Sequence, residues 1–307
     1  MPGMLPKIFS GVSVIDFSRL LPGPFATRLL QKMGAEVHCV VPPKGDALLG
    51  DYTPFHALRE GKEMHPLDLK RAEDLEQARA LIRRSPILLE GFRPGAMDKL
   101  QLGFAEAARL RPDIVYASLI GYPPDHPKHR LGGHDLNFLV DSGFYSLLYD
   151  DASREIPTLQ IADVVGGFYA AFQILVAWIR RLQDSAPQHL QISVVEGLEH
   201  LWSYLAHESA TGLIPLLTGS LARYRIYRTR DGARLAVAGL EPKFHEALLQ
   251  ALGLEARAGE EEEALAARIQ DVLAQRDAAE WQERFRDLDA CLSFIPGRAE
   301  VLARRGS

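Results

Sequence analysis

Cysteine is scarce in this sequence: Cys39 and Cys291 are the two examples among 307 residues. Two cysteines so far apart in the chain give neither a disulfide framework nor a cysteine-rich metal site. Such low cysteine content is typical of proteins in a reducing compartment, and the opening stretch MPGMLPKIFSG lacks the apolar core of a signal peptide. We therefore predict a cytoplasmic protein.

An excess of positive charge and a long apolar run are lacking as well. Lys and Arg number 35 against 40 Asp and Glu, for a net charge of −5, and the absence of a basic stripe argues against a nucleic-acid partner. The most hydrophobic window, residues 164–179, has 16 residues and includes Gln173, whereas a membrane-spanning helix needs about 20. We predict a buried core helix there and no membrane association.

Several common site motifs are also missing. The first strand-to-helix junction, DFSRLLPGPFA, contains neither G-x-G-x-x-G nor a P-loop, which argues against NAD-type binding. No G-x-S-x-G nucleophile elbow occurs. No H-E-x-x-H and no other spacing of His, Cys and Asp indicates a bound ion. We therefore expect no serine hydrolase, no nicotinamide enzyme and no metal site.

Strand-like and helix-like segments alternate over residues 1 to about 125. The β-branched run VSVIDF comes first, followed by LPGPFATRLLQKMGA, EVHCVV, EMHPLDL, AEDLEQARALIRR, PILLEG, AMDKLQLGFAEAARLRPD and IVYASLIGY. Strands that alternate with helices indicate βαβ units and a parallel sheet. We predict an α/β fold, with a Rossmann-like parallel sheet that carries helices on both faces and a smaller α+β domain.

The rest of the chain divides into a helical part and a small mixed part. From 134 to about 217 the pattern is mainly helical, with apolar periodicity at 163–183 and 192–208. After it, YRIYRTRDGARLAVAGL predicts a β-hairpin that turns at Asp231-Gly232, and helical patterns follow at 242–252, 262–275 and 278–287. We predict a large domain over 1–198, a linker over 199–222 and a small domain over 223–307.

Three side chains could carry acid–base chemistry. His134, in RLGGHDLNFLVDSGF, follows two glycines that relax the backbone, Asp163 directly precedes the most apolar helix, and Glu241 precedes Pro242. Each also has a structural interpretation: a turn that caps a buried helix for His134, an N-cap for Asp163 and a helix-start residue for Glu241. Local spacing leaves both interpretations open at all three positions.

Motifs that run in order along nearly the whole chain favour the catalytic interpretation of these three residues. They include LLPGPFATRLLQKMGAEV, REGK followed by LDLK, LLEGFRPGAMDKLQLG, GGHDLNFLVDSG, IADVVGGFYAA, ISVVEG and DGARLAVAGLEPKFHEALLQALGL. Together they resemble CoA-transferase family III and, within it, the α-methylacyl-CoA racemases. The resemblance implies that Asp163 marks the active site, where transferases use this residue as a nucleophile. His134 and Glu241 resemble the remaining members of the racemase set.

The resemblance to racemases implies inversion of the α-carbon of a 2-methylacyl-CoA or related acyl thioester through an enolate, with the thioester as substrate and no separate cofactor. Two acid–base groups must then flank the α-carbon: His134 on one face and Asp163 on the other, with Glu241 orienting His134. A helix that begins after Asp163, with Gly166 and Gly167 in its first turn, would offer N–H groups to the enolate oxygen. Two alternatives stay open: a CoA-transferase with Asp163 as nucleophile, and a divergent or non-catalytic thioester binder.

The segments that contact CoA depart from the family pattern. Cys39 and Val41 stand where the family's second strand carries a basic and an acidic residue, and the stretch RGKR is replaced by EGKE, which introduces Glu63. The candidate phosphate contacts that remain are Arg19, Lys44, Lys62 and Arg93. A weak grip on the nucleotide would suit a thioester carried on another pantetheine group, such as a carrier protein.

The resemblance also implies a homodimer. Family members usually continue past the region DLDACLSFIPGRAEV and return to the first domain, whereas this sequence ends at Ser307. We therefore expect a dimer that closes differently, or one whose return segment is dispensable or supplied by another chain.

Overall fold

The computed structural model describes residues 7–45, 53–149, 154–207 and 217–303. The chain divides into two compact units, residues 1–204 and residues 205–307. This division lies inside the range 199–222 that the sequence suggested as a linker. Residues 208–216 of that range lie outside the described residues, so the extent of the linker stays a prediction.

A parallel sheet forms the centre of the first unit. Its strands are β1 (Ser13–Asp16), β2 (Glu36–Val41), β3 (Glu63–Pro66), β4 (Ile87–Glu90), β5 (Val115–Ile120) and β6 (Gln188–Ser193). They lie in the order β3-β2-β1-β4-β5-β6, and every neighbouring pair is parallel. The chain leaves β1 toward one edge of the sheet and leaves β4 toward the other. The order therefore reverses between these two strands, as in doubly wound folds.

Helices connect and cover these strands. They are α1 (Pro22–Lys32), α2 (Thr53–Arg59), α3 (Ala72–Arg84), α4 (Ala96–Lys99), α5 (Phe104–Leu110), α6 (Asp135–Asp141), α7 (Phe144–Leu148), α8 (Ile161–Arg181) and α9 (Val194–Trp202), followed by a 3₁₀ helix at Ser203–His207.

Both faces of the sheet are buried, because successive side chains of a strand point to opposite faces. In β4, Ile87 and Leu89 belong to the core that α1, α8 and α9 cover. Leu88, between them, belongs to the core that α3 and α5 cover. Strands buried on both faces are typical of parallel sheets, and the predicted α/β fold with helices on both faces is confirmed.

Helix α8 is longer than the apolar window that the sequence analysis considered. It has 21 residues, and by length and hydropathy alone it could cross a membrane. Within the protein it packs against α1, α9, β5 and β6, and 44% of its most apolar window is buried. The argument from a window of only 16 residues was therefore wrong, although α8 does serve as a core helix of this fold.

Two further segments differ from the expectation. The strand β6 was missed because its sequence, QHLQIS, is polar, and only its last two residues are buried. The stretch 96–113 forms two short helices rather than one, because Gln101 has a positive φ of 56°. The side chain of Asp98 also fills the space that a Cβ at Gly103 would need.

The second unit has a small sheet covered by helices. Its elements are β7 (Tyr224–Arg228), β8 (Arg234–Ala238), α10 (Pro242–Leu252), α11 (Glu262–Leu273), α12 (Ala278–Arg284), β9 (Leu292–Phe294) and α13 (Arg298–Ala303). The strands are antiparallel in the order β7-β8-β9. Gly232 turns the predicted hairpin with a φ of 78°, which glycine adopts readily. The predicted small α+β domain is confirmed.

Candidate active site

A cavity of about 950 Å³ lies in the first unit at the carboxyl ends of its central strands. Its wall takes residues from the segments after β1 and β4, from the end of β5 and from the loop that leads into α6. Ligands of doubly wound folds bind where the strand order reverses, and this cavity lies at that place. Its volume is within the range of small-molecule sites, about 300–1,000 Å³.

His134 lines this cavity at the start of α6. It is the N-cap residue of that helix, with an extended backbone, and its N–H donates to Oδ1 of Asn137 at 3.1 Å. Its side chain is exposed. The structural interpretation of this histidine is therefore confirmed, since it begins a helix. It also lines the cavity, and its acid–base role stays a prediction.

The two glycines before His134 do not provide an unusual backbone conformation, since neither has a positive φ. They provide space instead. A Cβ on Gly132 would lie 2.8 Å from Nη2 of Arg93, and one on Gly133 would lie 2.6 Å from Cε1 of Phe138. Gly121, at the end of β5, is even closer, at 2.4 Å from the same ring atom. The glycines therefore allow the loop to pack tightly, which differs from the predicted role in backbone freedom.

The loop before His134 is also tied to α6 by polar contacts. Asp141 accepts from the hydroxyl of Tyr122 at 2.7 Å and from Nζ of Lys128 at 2.7 and 2.8 Å. The ring of His126 stacks on Tyr122 with the centroids 4.8 Å apart. These contacts link the end of β5, the loop and α6, so the position of His134 is defined from both sides.

Asp163 lines the same cavity, from the first turn of α8. It is the third residue of that helix, and the N-cap position belongs to Gln160. The predicted N-cap role of Asp163 is therefore wrong. The physical reason is Asp135, whose Oδ1 accepts the backbone N–H of Asp163 at 3.0 Å and which also takes the N–H of Ala162. A carboxylate from α6 thus performs the capping that was expected of Asp163.

The same contacts correct the expected site for an enolate oxygen. Two of the first N–H groups of α8 are occupied by Asp135. A Cβ on Gly166 would lie 2.8 Å from the side chain of Val194, and one on Gly167 would lie 2.7 Å from the carbonyl oxygen of Pro22. These glycines therefore allow close packing of α8 against its neighbours, and they are not explained by oxyanion binding.

The carboxyl group of Asp163 is held in an unusual electrostatic environment. Burial, followed by the nearby carboxylate of Asp135, raises the pKa of Asp163 to about 7. Burial also raises the pKa of Asp135, although its hydrogen bonds from the α8 backbone oppose that rise. A carboxyl group with a pKa near neutrality can both give and take a proton at the pH of a cell. Asp135 was missed by sequence reasoning, although it stands directly beside His134.

The four predicted phosphate contacts lie in different places. Arg19 and Arg93 line the cavity, after β1 and β4 respectively. Lys44 is exposed on the segment after β2 and is not among the lining residues. The cavity therefore brings two of the four predicted cations together with His134 and Asp163.

Lys62 is buried, and the structure gives it another role. Its Nζ donates to the carbonyl oxygen of Pro24 at 2.8 Å and to Oγ1 of Thr27 at 2.7 Å, and it lies 4.0 Å from Oδ2 of Asp16. The side chain of Lys62 has no exposed surface. Burial lowers its pKa, whereas Asp16 acts to raise it. Lys62 therefore joins α1 to the sheet, and its charge is not presented to a ligand in this structure.

Glu241 belongs to the second unit. It is the N-cap residue of α10, ahead of Pro242 at the first helical position, and its exposed side chain makes no capping hydrogen bond. The expected helix-start position is confirmed. The expected contribution of Glu241 to the orientation of His134 stays a prediction.

Comparisons with known proteins identify what this chain resembles. The model of CoA-transferase family III matches residues 9–306. Human alpha-methylacyl-CoA racemase is 34% identical over 306 residues, which cover 95% of this chain and 78% of the relative. Succinate–glutarate CoA-transferase of Agrobacterium fabrum is 26% identical over 285 residues, which cover 85% of this chain and 70% of that relative.

A solved structure supports the fold. A CAIB/BAIF family protein from Brucella suis superposes with a TM-score of 0.84 at 22% identity, over 98% of this chain and 86% of that chain. The fold therefore agrees with that of a CAIB/BAIF family protein, and the sequence agrees with CoA-transferase family III over nearly the whole chain.

Proposed function

Because the chain belongs to CoA-transferase family III, we propose that it is a racemase or epimerase of acyl-CoA thioesters. It inverts the α-carbon of a 2-methylacyl-CoA or related thioester by moving a proton off one face and another proton onto the opposite face. The greater identity to a racemase than to a transferase, 34% against 26%, supports this choice.

One observation carries the proposal: His134 and Asp163, which come from different elements, line the same cavity. Racemisation needs two acid–base groups around one carbon, one of which starts with a proton and the other without. Asp163, with a pKa of about 7, occurs in both forms near neutral pH. An imidazole is the side chain that most often transfers protons in enzymes.

The proton balance of the reaction is simple. One of the two groups, unprotonated, takes the α-proton, and the electron pair of the C–H bond passes into the thioester carbonyl to form an enolate. The other group, which carries a proton, then donates it to the opposite face of the α-carbon. The two groups have exchanged protonation states when the product leaves. The enzyme is then in the form that converts the opposite enantiomer.

Two cations give the cavity a means to bind the anionic part of the substrate. Arg19 and Arg93 line it from the ends of adjacent strands, and guanidinium groups bind phosphate oxygens well. We propose them as the phosphate contacts of the CoA moiety. The proposed role of Glu241, to orient His134, follows from the family resemblance alone.

The test distinguishes proton transfer at one face of the α-carbon from proton transfer at the other. Each enantiomer of a 2-methylacyl-CoA is incubated in deuterium oxide, and deuterium at the α-carbon and enantiomeric composition are followed by NMR and chiral chromatography. We expect Asp163→Asn and His134→Ala to lose racemisation by about 10²–10⁴-fold. Each variant should retain exchange of the α-proton from one enantiomer, and the two variants should differ in which one. Asp125 has an exposed carboxyl group in the loop that leads into α6. The variant Asp125→Asn is the control and should behave as the wild type.

Two results would overturn the proposal. The first is full racemisation by either single variant. The second is a wild-type protein that incorporates no deuterium but moves CoA between an acyl-CoA and a free carboxylate, with a CoA adduct on Asp163 visible by mass. That outcome would establish the transferase alternative, in which Asp163 is the nucleophile. The similarity to a succinate–glutarate CoA-transferase makes it the relevant competitor.

We also propose that the protein is a homodimer, and the exposed side of α8 supports this assembly. Phe168, Phe172, Val176 and Ile179 are large apolar side chains that lie exposed at helical spacing along α8. Apolar stripes of this kind mark interaction surfaces. We expect Phe172→Asp to give a monomer by light scattering, whereas Arg109→Asp, on α5 at the other face of the sheet, should leave a dimer. A monomeric wild type at micromolar concentration would contradict the proposal.

A further inference from the structure

Three potential metal ligands meet at the edge of the sheet in the first unit, away from the cavity. His38 lies on β2, and Glu63 and His65 lie on the edge strand β3. Nδ1 of His38 is 3.2 Å from Nε2 of His65 and 3.1 Å from Oε2 of Glu63, and Nε2 of His65 is 3.3 Å from Oε1 of Glu63. Glu63 therefore turns one carboxylate oxygen toward each imidazole, and one ligand atom from each of the three side chains lies within 4.8 Å of the others.

The strand register explains why these residues meet. His38 is directly opposite Glu63, and Val40 is opposite His65. Because side chains two positions apart share a face of a sheet, Glu63 and His65 lie on the same face as His38. Twenty-odd residues separate the two strands in the chain, so no short metal motif exists in the sequence. The expectation of no metal site came from spacing alone and did not test this arrangement.

Nδ1 of His38 has more hydrogen-bonding neighbours than it can serve at once. This atom faces Nη2 of Arg84 at 3.3 Å, which is a donor, and a carboxylate oxygen of Glu63 at 3.1 Å, which is an acceptor. It faces the second imidazole as well. One ring nitrogen of a neutral imidazole is either a donor or an acceptor, so it cannot serve Arg84 and Glu63 at the same time. A cation that accepts the lone pairs of both imidazoles and of the carboxylate would satisfy all three groups.

The closest contacts among these side chains, 3.1–3.3 Å, match the spacing between neighbouring ligands of a tetrahedral site. Zinc binds imidazole nitrogen and carboxylate oxygen at about 2.0–2.2 Å, which places neighbouring tetrahedral ligands roughly 3.3 Å apart. We propose that His38, Glu63 and His65 form a binding site for a divalent transition-metal ion of the zinc class, with a fourth position open to water. Imidazole ligands favour Zn²⁺, Co²⁺ and Ni²⁺ over Mg²⁺ and Ca²⁺, which take oxygen ligands.

Arg84 opposes metal binding and is therefore part of the test. Its guanidinium comes from the end of α3 and is exposed, so it can move into solvent when an ion binds. A bound ion would join the edge strand β3 to β2.

The experiment uses the untagged full chain and Zn²⁺ alone, measured by calorimetry at neutral pH. We expect one ion per chain. His65→Ala and Glu63→Gln should weaken binding by roughly tenfold or more, since the loss of an outer-shell partner alone typically costs 10–100-fold. Arg84→Ala should strengthen binding, because a competing cation is removed. His200→Ala, an exposed histidine on α9, is the matched control and should bind as the wild type does.

Two further measurements make the result independent of any single variant. Nitrogen-15 spectra of the imidazoles should show that Zn²⁺ shifts resonances of His38 and His65 and leaves those of His200 unchanged. Zn²⁺ should also raise the melting temperature of the wild type more than that of Glu63→Gln at the same zinc concentration. The side chain of Glu63 is 61% exposed, so the substitution should leave the fold intact. Equal zinc affinity in the wild type and in both ligand variants, or weaker binding after Arg84→Ala, would overturn the assignment.

Discussion

Asp16, at the carboxyl end of β1, and Asp163, in the first turn of α8, are two carboxyl groups of the same unit with opposite surroundings. Asp16 accepts hydrogen bonds from the backbone N–H and hydroxyl of Ser18 and from the hydroxyl of Thr27, and Lys62 lies beside it. The pKa of Asp163 is instead raised by burial and by the nearby carboxylate of Asp135. One carboxyl is compensated by donors and a cation, and the other is not.

The difference distinguishes a carboxyl group that joins parts of the fold from one that we propose exchanges a proton. A buried carboxylate with several hydrogen-bond donors and a nearby cation has its charge compensated inside the protein. A carboxyl group that faces another carboxylate and a cavity keeps a pKa near neutrality. Among these two, only Asp163 lines the cavity.

The first prediction concerns the compensated group. Asp16→Asn removes the partner of a buried Lys62, so the ammonium is left without a compensating charge. We expect the free energy of unfolding to fall by about 3–5 kcal/mol, as is typical when one member of a buried pair is removed. Urea denaturation followed by circular dichroism measures the change. A loss below about 1 kcal/mol, the size expected for an exposed pair, would show that Asp16 is not compensated in the way described.

The second prediction is a gain in stability, where the first is a loss. The pKa of Asp163 is about 7 in the folded protein, above the value near 4 of an unfolded Asp. The folded state therefore holds an extra proton between these values, and stability decreases as the pH rises from about 4 to 7. Asp163→Asn removes this dependence. We expect the variant to be more stable than the wild type at pH 8, on the order of 2 kcal/mol after allowance for partial exposure.

At a pH below about 4 the same variant should match the wild type, because Asp163 is then protonated in both the folded and the unfolded state. Denaturation curves at several pH values provide the measurement. If Asp163→Asn were less stable than the wild type at pH 8, the carboxylate of Asp163 would be compensated in the folded wild type. The contrast with Asp16 would then disappear.

The third prediction addresses the neighbouring carboxylate. Asp135→Asn removes a negative charge but keeps an oxygen that can accept the N–H of Asp163. The pKa of Asp163 should fall, since Asp135 acts to raise it. We expect any limb of the pH–rate profile that reports Asp163 to move to lower pH, with a rate change of roughly tenfold or less. Asp125→Asn, in the loop that leads into α6, is the control, and an identical profile for Asp125→Asn and Asp135→Asn would contradict the coupling.

The smallest effect is expected at the surface. Lys128 pairs with Asp141 at 2.7 Å, but its side chain is 47% exposed. Lys128→Ala should therefore lower the free energy of unfolding by no more than about 1 kcal/mol, in contrast to the loss expected for Asp16→Asn. Chemical denaturation at low and high salt measures it, and the difference between variant and wild type should shrink at high salt.

Much of the fold could be predicted from the sequence, because strands buried on both faces are continuous apolar runs. The run EVHCVV, for example, has the same bounds as β2. The sixth strand could not be identified in this way, since its polar sequence becomes a strand only when it pairs with β5. The break between α4 and α5 likewise follows from the positive φ of Gln101, a backbone conformation that glycine adopts far more readily than glutamine.

The site was less accessible to sequence reasoning. His134 and Asp163 were selected by family resemblance, because local spacing also allowed structural roles for both. The capping of α8 by Asp135 joins two elements that are distant in the chain, and no local rule indicates it. Lys62 was expected at a phosphate because it is charged, but its neighbours Pro24 and Thr27 hold it inside the protein.

The ring of Phe138 touches the positions where Gly121 and Gly133 would carry a Cβ. This contact has a consequence for protein engineering. A library that varies the loop before α6 to admit a bulkier acyl chain should leave both glycines and the ring unchanged, since an added methyl at either position would displace the imidazole along with the loop. Leu20 and Leu131, which also line the cavity, are the positions where a smaller side chain would enlarge the chamber without that penalty.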